Sequence, residues 1–169
     1  MPSDVQKNLQ EKNAAYAKQF TQGSLALPPA KKYLILTCMD ARIDPAAAFG
    51  IDLGDAHVIR NAGGSARDAH RSIIISQQLL GTKEILLIKH TDCGMLTFSN
   101  EDAHGLVVKN LGPTAAAEIA SLNFHAFPDL EAAVKEDVET LKKGATVAAD
   151  VPISGWIYDV KTGEVSQVV

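Results

Sequence analysis

Two short stretches of this sequence carry residue types that could do chemistry together. One reads Cys38-Met39-Asp40-Ala41-Arg42, the other His90-Thr91-Asp92-Cys93. Thiolate and imidazole donors suit Zn²⁺, and two cysteines with one histidine leave open the fourth position that a catalytic zinc keeps for water. Asp40 can reach the same cavity, either as a fourth ligand or as an acceptor for the bound water. Arg42 decides between these roles, because a two-pronged salt bridge keeps Asp40 ionised and off the metal.

Each residue also has a plainer reading. An unpaired cysteine after an apolar run is often a small core residue, an Asp and Arg pair at the surface contributes little, and H-x-x-C arises by chance. What favours chemistry is where the stretches fall among the elements that must position them. The apolar run YLILT at 33–37 reads as a buried strand that stops at Cys38. EILLI at 84–88 reads as another that runs into His90, and its lack of polar alternation predicts helices over both faces of a parallel sheet. In open α/β sheets, sites form at the carboxyl ends of strands, so the two stretches converge on one sheet edge.

Between them, Asp44 and Pro45 read as an N-cap and first helical residue, with Gly50 as the stop. AHVIR is a strand, NAGGS a glycine turn, and Ser65 with Asp68 resembles a capping box for a helix that is apolar nearly all round. The turn at Asn61 to Gly64 reads as tight strand-on-helix packing rather than an anion cradle, since it lacks the lysine and spacing of a phosphate loop. Further on, Ser99 and Asp102 cap a helix that Gly112 and Pro113 break, and Leu130, Val134, Val138 and Leu141 mark an amphipathic helix ending at Gly144. The tail ISGWIYDVKTGEVSQVV reads as two strands around a turn. This alternation predicts an α/β fold: a mainly parallel central sheet flanked by helices, with a C-terminal edge strand running antiparallel. The remaining histidines, His57, His70, His104 and His125, show no ligand spacing.

Residues 1–169 suit one domain with a core large enough to need no disulfides. A net charge of −4, with no run of Lys or Arg, leaves no footprint for nucleic acid. No apolar stretch approaches the ~20 residues that cross a bilayer. The start carries Asp4 and Glu11 and no apolar core of a signal peptide, so a cytoplasmic location is expected. There, two cysteines more often serve metal or catalysis than a disulfide. A redox pair is disfavoured by their separation, which is unlike C-x-x-C. Residues 4–21 place Val5, Leu9, Tyr16 and Phe20 as a thin apolar stripe on a polar helix, suited to docking on another surface.

At these residues the chain resembles the β-class carbonic anhydrases, whose signatures C-x-D-x-R and H-x-x-C-G stand here as CMDAR and HTDCG, with HVIRNAGG (57–64) between them. The resemblance implies Cys38, His90 and Cys93 as ligands of one Zn²⁺ per chain, Asp40 with Arg42 as the catalytic dyad, and a backbone contact from Gly94. It implies hydration of CO2 to bicarbonate by attack of zinc-bound hydroxide, in a homodimer or homotetramer whose N-terminal helix packs on the partner subunit. The chain is similar to the short branch of the class, which includes relatives that hydrolyse carbonyl sulfide or carbon disulfide. A non-catalytic, zinc-stabilised binding protein, with Asp40 filling the fourth site, is the alternative from a different class.

Overall fold

The computed structural model describes residues 1–169. Its centre is a five-stranded sheet in the order β2-β1-β3-β4-β5, made of β1 (Tyr33–Cys38), β2 (Ala56–Asn61), β3 (Glu84–His90), β4 (Ile153–Tyr158) and β5 (Val165–Gln167). The first four strands run parallel and β5 closes the edge antiparallel to β4. The sheet therefore has the expected architecture.

Helices α3 (Ala66–Ile74) and α6 (Leu130–Lys143) cover one face. Leu34 and Leu36 of β1, Ile85 and Leu87 of β3, and Ile73, Val134, Val138 and Leu141 of the helices form the main core there, all but sealed from solvent. The opposite face is open in this chain, which corrects the expectation of helical cover on both sides. Only the short α2 (Pro45–Phe49), capped by Asp44 and stopped by left-handed Gly50, leans over it. The rest is a groove of about 430 Å³ lined by Tyr33, Ile35, Leu86, Ile88 and Trp156 among others.

Helix α3, continued by a π turn over Ile75–Leu79, is not apolar all round. Arg67, Asp68, His70 and Arg71 face solvent while Ala66, Ala69 and Ile73 are buried. Its capping box is also half formed. Ser65 accepts from the Asp68 amide, but the Ser65 amide donates to Asn61 Oδ1 at 2.6 Å instead of to Asp68. The full box occurs at α4 (Asn100–Leu111), between Ser99 and Asp102, and Pro113 then opens α5 (Pro113–Ile119).

Helix α1 (Asp4–Gln19) ends two residues before the expected limit, with Phe20 as its extended cap. It buries none of its residues against this chain, and Val5, Leu9, Tyr16 and Phe20 all stand exposed. No helix is long and apolar enough to cross a membrane.

Candidate metal centre

Parallel pairing of β1 with β3 brings their carboxyl ends side by side, and each strand delivers a donor in its last residue. Cys38 and His90 were expected just after the strands. Both are still paired, Cys38 opposite Asn61 and His90 opposite Tyr158, which fixes their backbones before the chain turns away. Cys93 arrives three residues after β3, at the entry to a 3-10 turn over Gly94–Leu96. The two sulfurs and a His90 ring nitrogen lie within 4.8 Å of one another, and all three residues are buried.

The histidine shows what the trio suits. His90 Nδ1 is 2.9 Å from the Thr91 carbonyl, which can only accept, so Nδ1 carries a proton and, in the neutral ring, the lone pair is on Nε2. Yet Nε2 is buried without a hydrogen-bond partner. An orphaned buried nitrogen is costly, unless a cation supplies what the protein does not. A carbonyl that fixes the other ring nitrogen is the usual support for a metal-binding imidazole.

The thiols agree. A hydrogen bond from Cys93 pulls Cys38 down to about 4 against the effect of burial, with help from His90 and the amides of Asp40 and Gly63. The shared proton stays with Cys93, whose value is pushed far up by that bond and by burial. At His90, burial disfavours the charged ring, but the negative charge close by at Cys38 outweighs it and raises the pKa. Negative charge thus gathers at two sulfurs with one proton between them, and a divalent ion would take that proton's place. The donor set fits Zn²⁺.

Asp40 lies at the rim. Its Oδ2 stands 3.8 Å from His90 Nε2, close enough to compete for an ion, but Arg42 holds both oxygens: Nε donates to Oδ1 at 3.0 Å and Nη2 to Oδ2 at 2.8 Å. The side-chain and backbone hydrogen bonds from Arg42 keep the Asp40 carboxyl well below the usual carboxylate range. Arg42 also donates to Asp92, from Nη1 to Oδ2 at 2.7 Å and from Nη2 to the carbonyl at 2.9 Å, so one guanidinium ties both loops together. Gly94, beside Cys93, follows in the 3-10 turn, and a Cβ there would meet open space.

Sequence reasoning missed three residues. Arg60, on β2, donates to the carbonyls of Cys38 and Asp40 at 3.0 and 2.7 Å and so props the first loop from the neighbouring strand. Its signal was a charged residue inside HVIRN. Asp92 lies within the second loop itself, in a left-handed conformation at φ 55° that presents its carbonyl and carboxylate to Arg42. Lys89, beside His90, is almost wholly buried. The four other histidines lie outside the trio: His57 meets Ser76, His70 meets Thr146, His104 meets the Leu122 carbonyl, and His125 approaches Asp68.

Arg42→Met should expose the loop tie directly. A carboxylate with a depressed native pKa stabilises the fold fully above its unfolded value of about 3.9 and loses that contribution as pH falls through the native value. Chelator-treated Arg42→Met is therefore expected to unfold at lower urea than wild type at neutral pH, with the gap closing in strong acid. A gap independent of pH would show that the Asp40 pairing is not its source.

A family model for carbonic anhydrase matches residues 33–165. Over 159 residues, 92% of this chain and 93% of the relative, the sequence is 40% identical to Beta-carbonic anhydrase 1 of Mycobacterium tuberculosis. It is 37% identical over 157 residues to a carbon disulfide hydrolase of Acidianus sp., covering 80% of this chain and 76% of that one. Among solved structures, a carbonic anhydrase from Glaciozyma antarctica matches with a TM-score of 0.95 and 47% identity, over 99% of this chain and all of the other. With a parallel sheet that gathers two cysteines and a histidine at one edge, the chain belongs to the β-carbonic anhydrase family.

Proposed function

We propose that this protein hydrates CO2 to bicarbonate with one zinc ion held by Cys38, His90 and Cys93. The observation that carries the reading is the buried, partnerless Nε2 of His90 within reach of two thiols, while Arg42 occupies both oxygens of the one nearby carboxylate. Three donors and a withdrawn fourth describe a catalytic zinc rather than a closed structural one. When bound, zinc would supply a water acidified to a pKa of about 7.

The chain's own residues do the rest. Arg42 keeps Asp40 ionised, so Oδ2 is an acceptor only; it would accept a hydrogen bond from the O–H of the reacting water and so leave the water's lone pair aimed at the carbon of CO2. Thr91 holds the proton on His90 Nδ1 and orients the ring. Arg60 steadies the carbonyls that flank Met39, and so the spacing between Cys38 and Asp40.

A second reading has specific support in the 37% identity to a carbon disulfide hydrolase. Carbonyl sulfide and carbon disulfide are linear triatomics open to the same attack. CO2 is preferred because the carbonic anhydrase relatives are similar over nearly the whole chain. Stopped-flow assays of zinc-loaded protein with CO2, carbonyl sulfide and carbon disulfide are expected to rank CO2 first by kcat/KM. A larger value for either sulfur compound would reassign the substrate, and no turnover of any of them would leave only a zinc-binding protein.

The protein acts as a homodimer or larger assembly, in a reducing, cytoplasmic setting that keeps both thiols free. The unburied stripe of α1 and the open apolar groove on the sheet support self-association, since each leaves hydrophobic surface that a second copy would cover. Leu9→Lys with Tyr16→Glu is expected to shift the particle toward monomer in light scattering while circular dichroism stays unchanged. An unaltered mass would remove α1 from the interface.

A further inference from the structure

Lys89 is a charged residue at the end of an otherwise apolar row on β3. Along β3, Ile85, Leu87 and Lys89 fall on one face by the two-residue alternation of a strand, and His90 falls on the other. The first two enter the core beneath α6. Lys89 ends that row, 2% exposed at its side chain, and its ammonium is fully engaged. It donates to Asp137 Oδ2 on α6 at 2.8 Å, to the Gly63 carbonyl at 2.9 Å and to the Gly64 carbonyl at 3.3 Å, and it lies 4.9 Å from the centre of the Phe127 ring.

The two glycines it grips form the wall behind Cys38. Both have positive φ, 70° and 59°. A Cβ on Gly64 would come within 3.1 Å of the Thr37 carbonyl carbon and 3.3 Å of the Cys38 nitrogen, so the turn presses on the β1 backbone at the ligand. A Cβ on Gly63 would come within 2.8 Å of Met95, two residues beyond Cys93.

We infer that Lys89 is a positioning residue for the metal: from the face of the sheet opposite His90, its ammonium clamps the Gly63–Gly64 turn against β1 and so sets the place of Cys38. The inference rests on the metal reading above. It assigns to the buried Lys89–Asp137 pair a task beyond stability, and it makes α6, remote in sequence from every ligand, part of the site's support.

The test compares wild type, Lys89→Met, and Lys89→Met with Asp137→Asn. The single variant strands a carboxylate beside an apolar side chain and is expected to lose stability. The double variant removes that charge and keeps an acceptor for the Ala66 amide, which now donates to Asp137 Oδ2 at 3.3 Å. Its thermal midpoint should therefore recover. Zinc affinity is read by competition with a chromophoric chelator, and coordination by the thiolate-to-metal bands of the cobalt-loaded protein. Loss of support around a ligand typically weakens metal binding by about 10- to 100-fold, and that loss is expected in the double variant at a recovered midpoint, with altered cobalt bands. A double variant with wild-type affinity and spectrum would reduce Lys89 to a folding role and overturn the inference. Wild type that binds no zinc would instead overturn the metal reading.

Discussion

Cys93→Ala is expected to fold, to purify without stoichiometric zinc, and to hydrate CO2 no faster than buffer. The side chain lies in a small cluster with Cys38, Ile43 and Met95, so removing one sulfur takes away little packing. On the proposed reading it takes away one of three donors, however, and the two that remain are expected to lose the ion to competing chelators. Metal analysis by mass spectrometry and stopped-flow hydration on the same sample check both halves. A variant that retains one zinc per chain and full turnover would place the ion elsewhere.

Asp40→Ala is expected to do the reverse: to keep its zinc and lose turnover by about 10²- to 10⁴-fold, the usual range for a group that handles a proton or orients it at the reacting atom. The carboxylate stands 3.8 Å from His90 Nε2 and is bound on both oxygens by Arg42, and on the proposed reading this keeps it for the reacting water and off the ion. The loss should fall on kcat, because a triatomic substrate offers Asp40 little to bind in the ground state. Loss of zinc together with activity would mean that Asp40 is a fourth ligand, as in a structural site.

The main lines of the fold and the meeting of Cys38, His90 and Cys93 were legible because parallel strands announce themselves as short apolar runs whose carboxyl ends lie at one sheet edge. YLILT and EILLI led straight to Cys38 and His90, and Cys93 followed within the same loop. Arg42 was legible through its neighbour Asp40, but its grip on Asp92 was not, since that bond needs a left-handed residue that no local pattern in HTDC requires. Arg60 acts through backbone carbonyls on the next strand, and register between strands cannot be read along the chain. Lys89 and Asp137 each look like solvated charges on their own elements. Only the crossing of α6 over β3 makes them a buried pair.

The over-reading of α3 has a similar cause. The run SIIISQQLL suggested cover on every side, but a helix laid on one face of a sheet buries a single stripe, and Leu79 is left largely exposed. The apolar run EILLI was correctly read as a strand of the parallel sheet. It did not show that one face of the sheet would stay open in this chain, because the apolar run tells that a strand's side chains avoid water and not which element, if any, lies over each face.

Extended X-ray absorption at the zinc edge of the purified protein addresses the central claim most directly. The account predicts two sulfur neighbours at about 2.3 Å and one histidine nitrogen at about 2.0–2.1 Å, with a single lighter atom completing the shell. A shell with no sulfur, or with one, would contradict it.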